Sequence, residues 1–456
     1  MGSDTNLTPE FAFHLGKSFG TFLIRNAQSQ IWICRDARLS SPSLHESLIH
    51  GLLDTGVEVL DLGVGPTPLL CHAIAKRPEA YKTASSGIMI TASHNPPNHN
   101  GFKITFDGMP FYGDELARLR QIMISGDYHQ GLGAHRTVDH QSTYLKDFQT
   151  RVKRLQSGNK NIRIVVDAAN GAAGPLAIAA LNAIGAEVIP LFCEMDGSFP
   201  NHSPDTSNPE NLKDLINKVI EVDAFCGIAL DGDGDRMVAV AETGEILNAD
   251  DLMALFSSDV LDNIPCATIV FDVKTSNQLV TQIKDKGGTP FMTKSGRSYI
   301  QEAMFKEGAA LAGEFSSHFF FADKWYGSDD GIYAAARLLE ICLGLGKPLS
   351  LACEKAQALY ATDEIGIAVD EKRKFEIVRD IVANSRFEGA NLVTIDGLRI
   401  EYPASWALVR ASNTSASLTL RFEADSQTEL NRLMTLIRHE LLKIEPNLDL
   451  RKLNVA

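Results

Sequence analysis

The sequence predicts an α/β protein: three similar α/β units with mixed, mostly parallel sheets, then a smaller α+β unit. Three observations lead there. Short β-branched runs alternate with stretches of helical apolar spacing, and the alternation recurs three times. Near residue 359 it gives way to strands with two helices. The residues least explained by packing follow strands, and ligands of parallel sheets gather at the carboxyl ends of strands.

In the first unit, residues 1–139, strands are expected at Ile31 to Arg35, Val57 to Leu62 and Gly87 to Thr91, with a helix over Ser43 to Leu53. The second, 140–245, offers strands at Ile162 to Asp167, Ala186 to Leu191 and Phe225 to Leu230, and a helix over Pro175 to Ile184. The third, 246–358, offers Thr268 to Asp272, Pro290 to Thr293 and Ala309 to Ala312. In the fourth, 359–456, strands at Gly366 to Val369, Asn391 to Thr394, Leu398 to Tyr402 and Ser417 to Phe422 accompany helices Glu371 to Asn384 and Ser426 to Lys443.

At 456 residues, 44% hydrophobic and 22% charged, the chain is a globular one, long enough for roughly three or four domains of ~100–150 residues. No apolar run approaches the ~20 residues a bilayer requires. Met1 to Glu10 lacks the basic-then-apolar build of a signal peptide, so a cytoplasmic protein is expected. Its seven cysteines include no CxxC pair, which argues against a disulfide framework or a zinc site and for reduced thiols. A net charge of −14 with no basic, aromatic-interleaved cluster excludes nucleic acid as a natural partner.

Four segments carry chemistry. In Thr91-Ala92-Ser93-His94-Asn95-Pro96-Pro97, paired prolines forbid helix and fix a loop able to hold one hydroxyl. A serine–histidine hydrolase pair is disfavoured, because neighbouring side chains on extended backbone point apart and no GxSxG elbow is present. Taken alone, the segment would read as a plain turn. Asp231, Asp233 and Asp235, spaced by glycines, repel one another unless a cation joins them, and oxygen-only ligands favour Mg²⁺ or another hard divalent ion. An EF-hand fails because Arg236 stands at the sixth position and the flanks read as strands. Glu314, Ser316 and His318 alternate in what reads as an extended stretch, so they can share a face toward a sugar. Arg410-Ala411-Ser412-Asn413-Thr414 offers an arginine, hydroxyls, an amide and backbone N–H groups suited to a phosphate, or else a capped turn.

Together these segments resemble the alpha-D-phosphohexomutase family, in its phosphomannomutase/phosphoglucomutase branch. The likeness runs through TASHNPPNHNGFKI, DGDGDR, GEFSSHFFF and LVRASNT in the family's order, supported by Arg35-Asp36-Ala37-Arg38, Asp272-Val273-Lys274-Thr275-Ser276 and Trp325-Tyr326-Gly327-Ser328-Asp329-Asp330-Gly331.

The resemblance implies four domains around a central cleft and an exchange between hexose 6-phosphate and hexose 1-phosphate, of mannose, glucose or both. It makes Ser93 the phosphoryl donor and acceptor. One Mg²⁺ would sit on Asp231, Asp233 and Asp235 and on the Ser93 phosphate, which carries about −2 charge and would otherwise repel the substrate. Lys103 and His318 would handle protons, with the pKa of Lys103 lowered by neighbouring cations. Arg38, Arg236 and Lys274 would add positive charge. Glu314, Ser316 and His318 would meet the sugar, while Arg410, Ser412, Asn413 and Thr414 hold the distant phosphate. A hexose 1,6-bisphosphate would be the bound intermediate and activator. The partners implied are sugar phosphates, with neither nucleic acid nor membrane, and a monomer or weak homo-oligomer.

The chain departs from the family in several places. By the resemblance, its start would fall just after an amino-terminal motif whose arginine assists at the phosphoserine. Ser317 replaces a glycine, Arg297 stands where a Gly-His-Ser turn places histidine, and Ser415-Ala416-Ser417 replaces a proline. The rival readings are a phosphoglucosamine mutase, disfavoured by Phe315 where that branch has asparagine, and an inactive sugar-phosphate binder. A nucleotide-using kinase is disfavoured by the lack of a GxxxxGK[ST] loop.

Overall fold

The structure, a computed structural model, describes residues 2–3, 6–155, 162–353, 359–413 and 415–453. Its first three units repeat one topology. In the first, Glu58–Val64, Gln30–Arg35, Gly87–Ile90 and Phe102–Phe106 lie side by side in that order, the first three parallel and the last antiparallel. The second repeats this with Ala186–Leu191, Ile162–Asp167, Cys226–Leu230 and Met237–Ala241. The third repeats it with Thr289–Thr293, Thr268–Asp272, Leu311–Gly313 and Phe319–Phe321. In every unit, therefore, the third strand turns back into an antiparallel fourth. The loops at those turns are 91–101, 231–236 and 314–318, three of the four segments singled out by chemistry.

Burial explains the strands. Gly87–Ile90, Cys226–Leu230 and Met237–Ala241 are buried along their whole length, the pattern of a sheet covered on both faces. The helices are fixed at their ends: Thr8 accepts from the Phe11 amide ahead of Pro9–Arg25, and Asn248 and Asp251 form a reciprocal capping box on Ala249–Asn263. Helix Gly331–Leu345 is buried nearly all round. Its Ile332, Tyr333 and Leu338 join a continuous apolar core with Trp32 and Leu60 of the first unit and Ile164 and Ile228 of the second. The first three units are thereby packed into one body.

The fourth unit has its own core, centred on Ile400, Val409, Leu420 and Ile437. Its antiparallel sheet runs Tyr360–Ala361, Ser417–Ala424, Ser405–Ala411, Leu398–Tyr402 and Asn391–Val393, with Ile365–Ala368 also on Ser417–Ala424. Helices Lys374–Asn384 and Gln427–Ile444 accompany it.

Two sequence expectations need correction. Ser405–Ala411 forms a strand that the sequence pattern does not predict: all seven residues are buried, so the run carries no alternation. The boundary at 245/246 detaches Ile246–Leu247 from its sheet, because those residues turn back to pair with Ala239 and Val240 of the second unit. Among the described residues, no helix is long and apolar enough to cross a membrane, and the seven cysteines are unbridged.

Candidate functional site

Ser93 stands at the turn after Gly87–Ile90 with φ +54°, a conformation costly for a residue with a Cβ. What holds it there is Arg38. Its guanidinium, fully buried, spends all five N–H donors: Nε on Asp36 Oδ2 (3.0 Å), Nη2 on the carbonyls of Ser93 and Asn95 (both 2.7 Å), Nη1 on those of Pro96 (2.6 Å) and His99 (3.1 Å). Arg38 thus grips the loop's backbone, a positioning role beyond the positive charge expected of it. The left-handed turn also corrects the reading of Ser93 and His94 as pointing apart, since Ser93 Oγ and His94 Nδ1 are 3.3 Å from each other. Burial, then Arg236, pushes the His94 pKa down to about 4.

The Asp231 loop packs directly on this turn. A Cβ at Gly232 would lie 2.4 Å from the Ser93 carbonyl oxygen, so only glycine permits the approach. Ser93 Oγ donates to Asp231 Oδ2 at 2.6 Å. Asp231, Asp233 and Asp235 are all fully buried, and each presents a carboxylate oxygen within 4.8 Å of the others. Burial and the two neighbouring aspartates raise the Asp231 pKa to about 7. Lys103 Nζ bridges Asp233 Oδ2 (2.6 Å) and Asp235 Oδ2 (2.5 Å), and Thr67 Oγ1 also donates to Asp233. The pair of carboxylates outweighs burial and raises the Lys103 pKa, opposite to the lowering expected for a base.

These residues fit a hard divalent cation. Asp233 Oδ1 is buried and, among the described residues, has no hydrogen-bond partner, and Asp235 Oδ1 has only His318 Nε2 at 3.4 Å in poor geometry, which is costly unless a cation takes them.

The 314–318 loop is not extended as expected. It is a tight hairpin turn, with the Glu314 amide on the His318 carbonyl (3.0 Å) and Ser317 at φ +67°, where glycine would be unstrained. The turn nonetheless gathers the side chains: His318 Nδ1 lies 3.3 Å from Glu314 Oε2 and 3.1 Å from Ser316 Oγ. His318 Nε2 lies 3.4 Å from Asp235 Oδ1. Burial and Arg236 oppose protonation of His318, but Asp235 and Glu314 prevail and raise its pKa to about 9. Arg236 pairs through its amide with Asp231 Oδ1 (3.2 Å), and its Nε lies 3.8 Å from Oδ2. Lys274 is buried beside Glu364 (2.7 Å) and 3.9 Å from Glu314, on the sugar-loop side of the site.

The fourth loop follows strand Ser405–Ala411. Arg410 is held by Asp396 through Nε (2.9 Å), and Ser412 Oγ accepts from the amide and hydroxyl of Ser415 (3.2 and 2.8 Å). Asn413 is exposed, and Thr414 lies outside the described residues. Three hairpin loops thus bring a hydroxyl, a carboxylate triad and a polar turn into direct contact, and the arginine–serine turn of the fourth unit is tied to them through Asp396, which accepts from Arg410 and from the amide of Ser295, whose hydroxyl donates to Glu314.

Residues 1–130, 142–244, 248–360 and 364–440 match, in turn, phosphoglucomutase/phosphomannomutase alpha/beta/alpha domains I, II and III and the C-terminal domain. The chain belongs to the phosphoglucomutase/phosphomannomutase family. It is 42% identical over 442 residues to a phosphomannomutase/phosphoglucomutase of Pseudomonas aeruginosa, covering 97% of this chain and 94% of that one. It is 39% identical to a phosphoglucomutase of Neisseria gonorrhoeae, covering 94% and 92%. A crystal structure of a phosphoglucomutase/phosphomannomutase family protein from Burkholderia thailandensis superposes with a TM-score of 0.91 at 37% identity, covering 98% and 96%.

Within this family site, sequence reasoning left two charged residues without a role. Asp329, from the Trp325-to-Gly331 stretch, is fully buried and takes a fork from Arg297, Nε to Oδ2 at 2.5 Å and Nη2 to Oδ1 at 2.7 Å. Arg297 opens helix Arg297–Glu307 and also lies 3.8 Å from Asp235 and 3.4 Å from Cys71 Sγ. Two acidic residues in a glycine-rich turn gave a signal for Asp329, but nothing in the sequence paired it with a residue 32 positions upstream.

Proposed function

We propose that this chain is a phosphohexomutase that interconverts hexose 6-phosphate and hexose 1-phosphate of mannose, glucose or both, through phosphorylated Ser93 and a bound hexose 1,6-bisphosphate. The observation that carries the reading is the 2.6 Å contact between Ser93 Oγ, held on a strained and buried turn, and the first carboxylate of the aspartate triad. A nucleophilic hydroxyl placed against a divalent-cation site is the arrangement phosphoryl transfer requires.

Asp231, Asp233 and Asp235 would hold one Mg²⁺, which supplies charge neutralisation for the phosphoryl group. Arg38 and Gly232 keep Ser93 Oγ in line with that site. Lys103 and His318 handle the two protons of the transfer: one gives its proton to Ser93 Oγ as the bond from Oγ to phosphorus breaks, the other takes the proton of the attacking sugar hydroxyl once it has given up its own, and their raised pKa values keep positive charge at the transfer. Glu314 and Ser316, gathered around His318, present acceptors and a hydroxyl to the sugar. Arg410, Ser412, Asn413 and Thr414 hold the phosphate that is not reacting, at either end of the sugar in turn, so the cradle must accept both orientations. Transfer from Ser93 gives the bisphosphate, and return of its other phosphate to Ser93 completes the cycle without ATP.

Intact-mass measurement and peptide mapping of active protein should find phosphate on Ser93, and Ser93→Ala should abolish turnover of mannose 1-phosphate and glucose 1-phosphate in a coupled assay primed with hexose 1,6-bisphosphate. Full activity without modification at Ser93 would refute the mechanism.

A further inference from the structure

The site contains more carboxylates than one cation needs. Two groups present oxygen or nitrogen atoms within 4.8 Å of one another: Asp231, Asp233 and Asp235, and a second composed of Asp235, His318 and Asp329. Asp235 belongs to both. In the second, His318 Nε2 lies 3.4 Å from Asp235 Oδ1 and 3.8 Å from Asp329 Oδ2, and all three residues are buried. Two carboxylates and an imidazole that has released its proton to the incoming ion suit a divalent transition metal, and a shared carboxylate is how adjacent metal sites are commonly joined.

What distinguishes the two groups is Arg297. Its guanidinium takes both oxygens of Asp329 at 2.5 and 2.7 Å and stops 3.8 Å short of Asp235. A bidentate fork of this kind satisfies the carboxylate in geometry as well as charge. Arg297 cannot give up its charge in the accessible pH range, so a dication entering the second group would have to displace it. The triad on the aspartate loop is held at hydrogen-bond distance by Lys103, a single ammonium on a flexible stem, while Arg236 and Arg297 stand 3.8 Å from Asp231 and Asp235 and fork onto neither.

We propose that Arg297 is a positioning residue that confines the divalent ion to Asp231, Asp233 and Asp235 by keeping Asp329 paired. The inference rests on the metal loop of the proposed function. Removing the guanidinium exposes the second group, and the ion then gains His318 as a ligand, by moving or by admitting a second ion.

Mn²⁺ bound to the full-length protein reports this directly, because pulsed EPR detects an imidazole nitrogen on the ion. Wild-type protein should bind Mn²⁺ without nitrogen coupling. Arg297→Met should acquire that coupling, and Arg297→Met with Asp329→Asn should lose it again. An Arg297→Met protein that melts cooperatively and binds Mn²⁺ with no nitrogen coupling would overturn the inference, as would coupling already present in the wild type. If Arg297→Met does not fold, Asp329→Asn takes over: Arg297, freed beside Asp235, should compete with the ion and raise the Mn²⁺ Kd at least about fivefold, and an unchanged Kd would overturn the proposal. Wild-type protein that binds no Mn²⁺ at all would instead bring down the metal loop itself, and the inference with it.

Discussion

Arg38→Met offers the sharpest test of how the Ser93 turn is held. The substitution keeps much of the aliphatic bulk and removes five N–H donors, leaving buried Asp36 without its cation and taking the Arg38 hydrogen bonds from four loop carbonyls, of which Pro96 keeps the His99 amide. Breaking a buried ion pair from one side costs about 3–5 kcal/mol. Three of the four carbonyls belong to residues 93–96, so the loss should appear as local opening of that loop. At 1.4 kcal/mol per tenfold, it corresponds to roughly two to three and a half orders of magnitude in opening equilibrium. Hydrogen exchange followed by mass spectrometry should show the amides of 93–101 losing protection by that factor, with strand Cys226–Leu230 as an internal reference. Turnover should fall at least about a hundredfold, because a displaced nucleophile is costly even at 1 Å. Arg38→Lys, with three donors for five acceptors, should lie between. Wild-type protection of the loop together with turnover within twofold in Arg38→Met would refute the claim that this guanidinium positions Ser93.

Metal binding should depend on pH with a definite sign. The Asp231 pKa is raised to about 7, so below that pH a proton must leave before the ion binds. Affinity for Mg²⁺ should therefore rise about tenfold per pH unit up to about 7 and level off above it, and a calorimetric series that is flat from pH 5.5 to 8.5 would contradict the assignment. Asp231→Asn, Asp233→Asn and Asp235→Asn should each cut turnover severely with far-UV circular dichroism unchanged, and chelator should abolish activity until Mg²⁺ returns; full turnover in excess chelator would exclude an aspartate-bound ion. Arg410→Ala should weaken hexose-phosphate affinity by roughly ten- to a hundredfold, as loss of a charge-assisted contact worth ~1.5–3 kcal/mol requires, and calorimetry showing unchanged affinity would remove Arg410 from the cradle.

The sequence by itself determined the kind of protein and the identity of its reactive groups. Strand–helix alternation is a local property, written in every few residues, so strands such as Ile162–Asp167 and Thr268–Asp272 were legible to the residue. Segments whose chemistry is compact in sequence were legible too, because DGDGD and SHNPP declare a charge cluster and a rigid turn without reference to anything distant. The tertiary structure alone decided what each group does. Arg38 reads as one more cation until its donors are found on the carbonyls of a loop some 55 to 61 residues away. Lys103 reads as a base until Asp233 and Asp235, 130 and 132 residues along, close on it and hold its proton. Glu314, Ser316 and His318 converge through a turn whose backbone hydrogen bonds reverse the chain, where alternation predicts an extended face. The pairing of Arg297 with Asp329 exists only because helix Arg297–Glu307 and the turn before Gly331–Leu345 meet over the cleft. Hydrogen-bond partners and pKa values depend on separations of a few ångströms between residues far apart in the chain, and no local pattern records those distances.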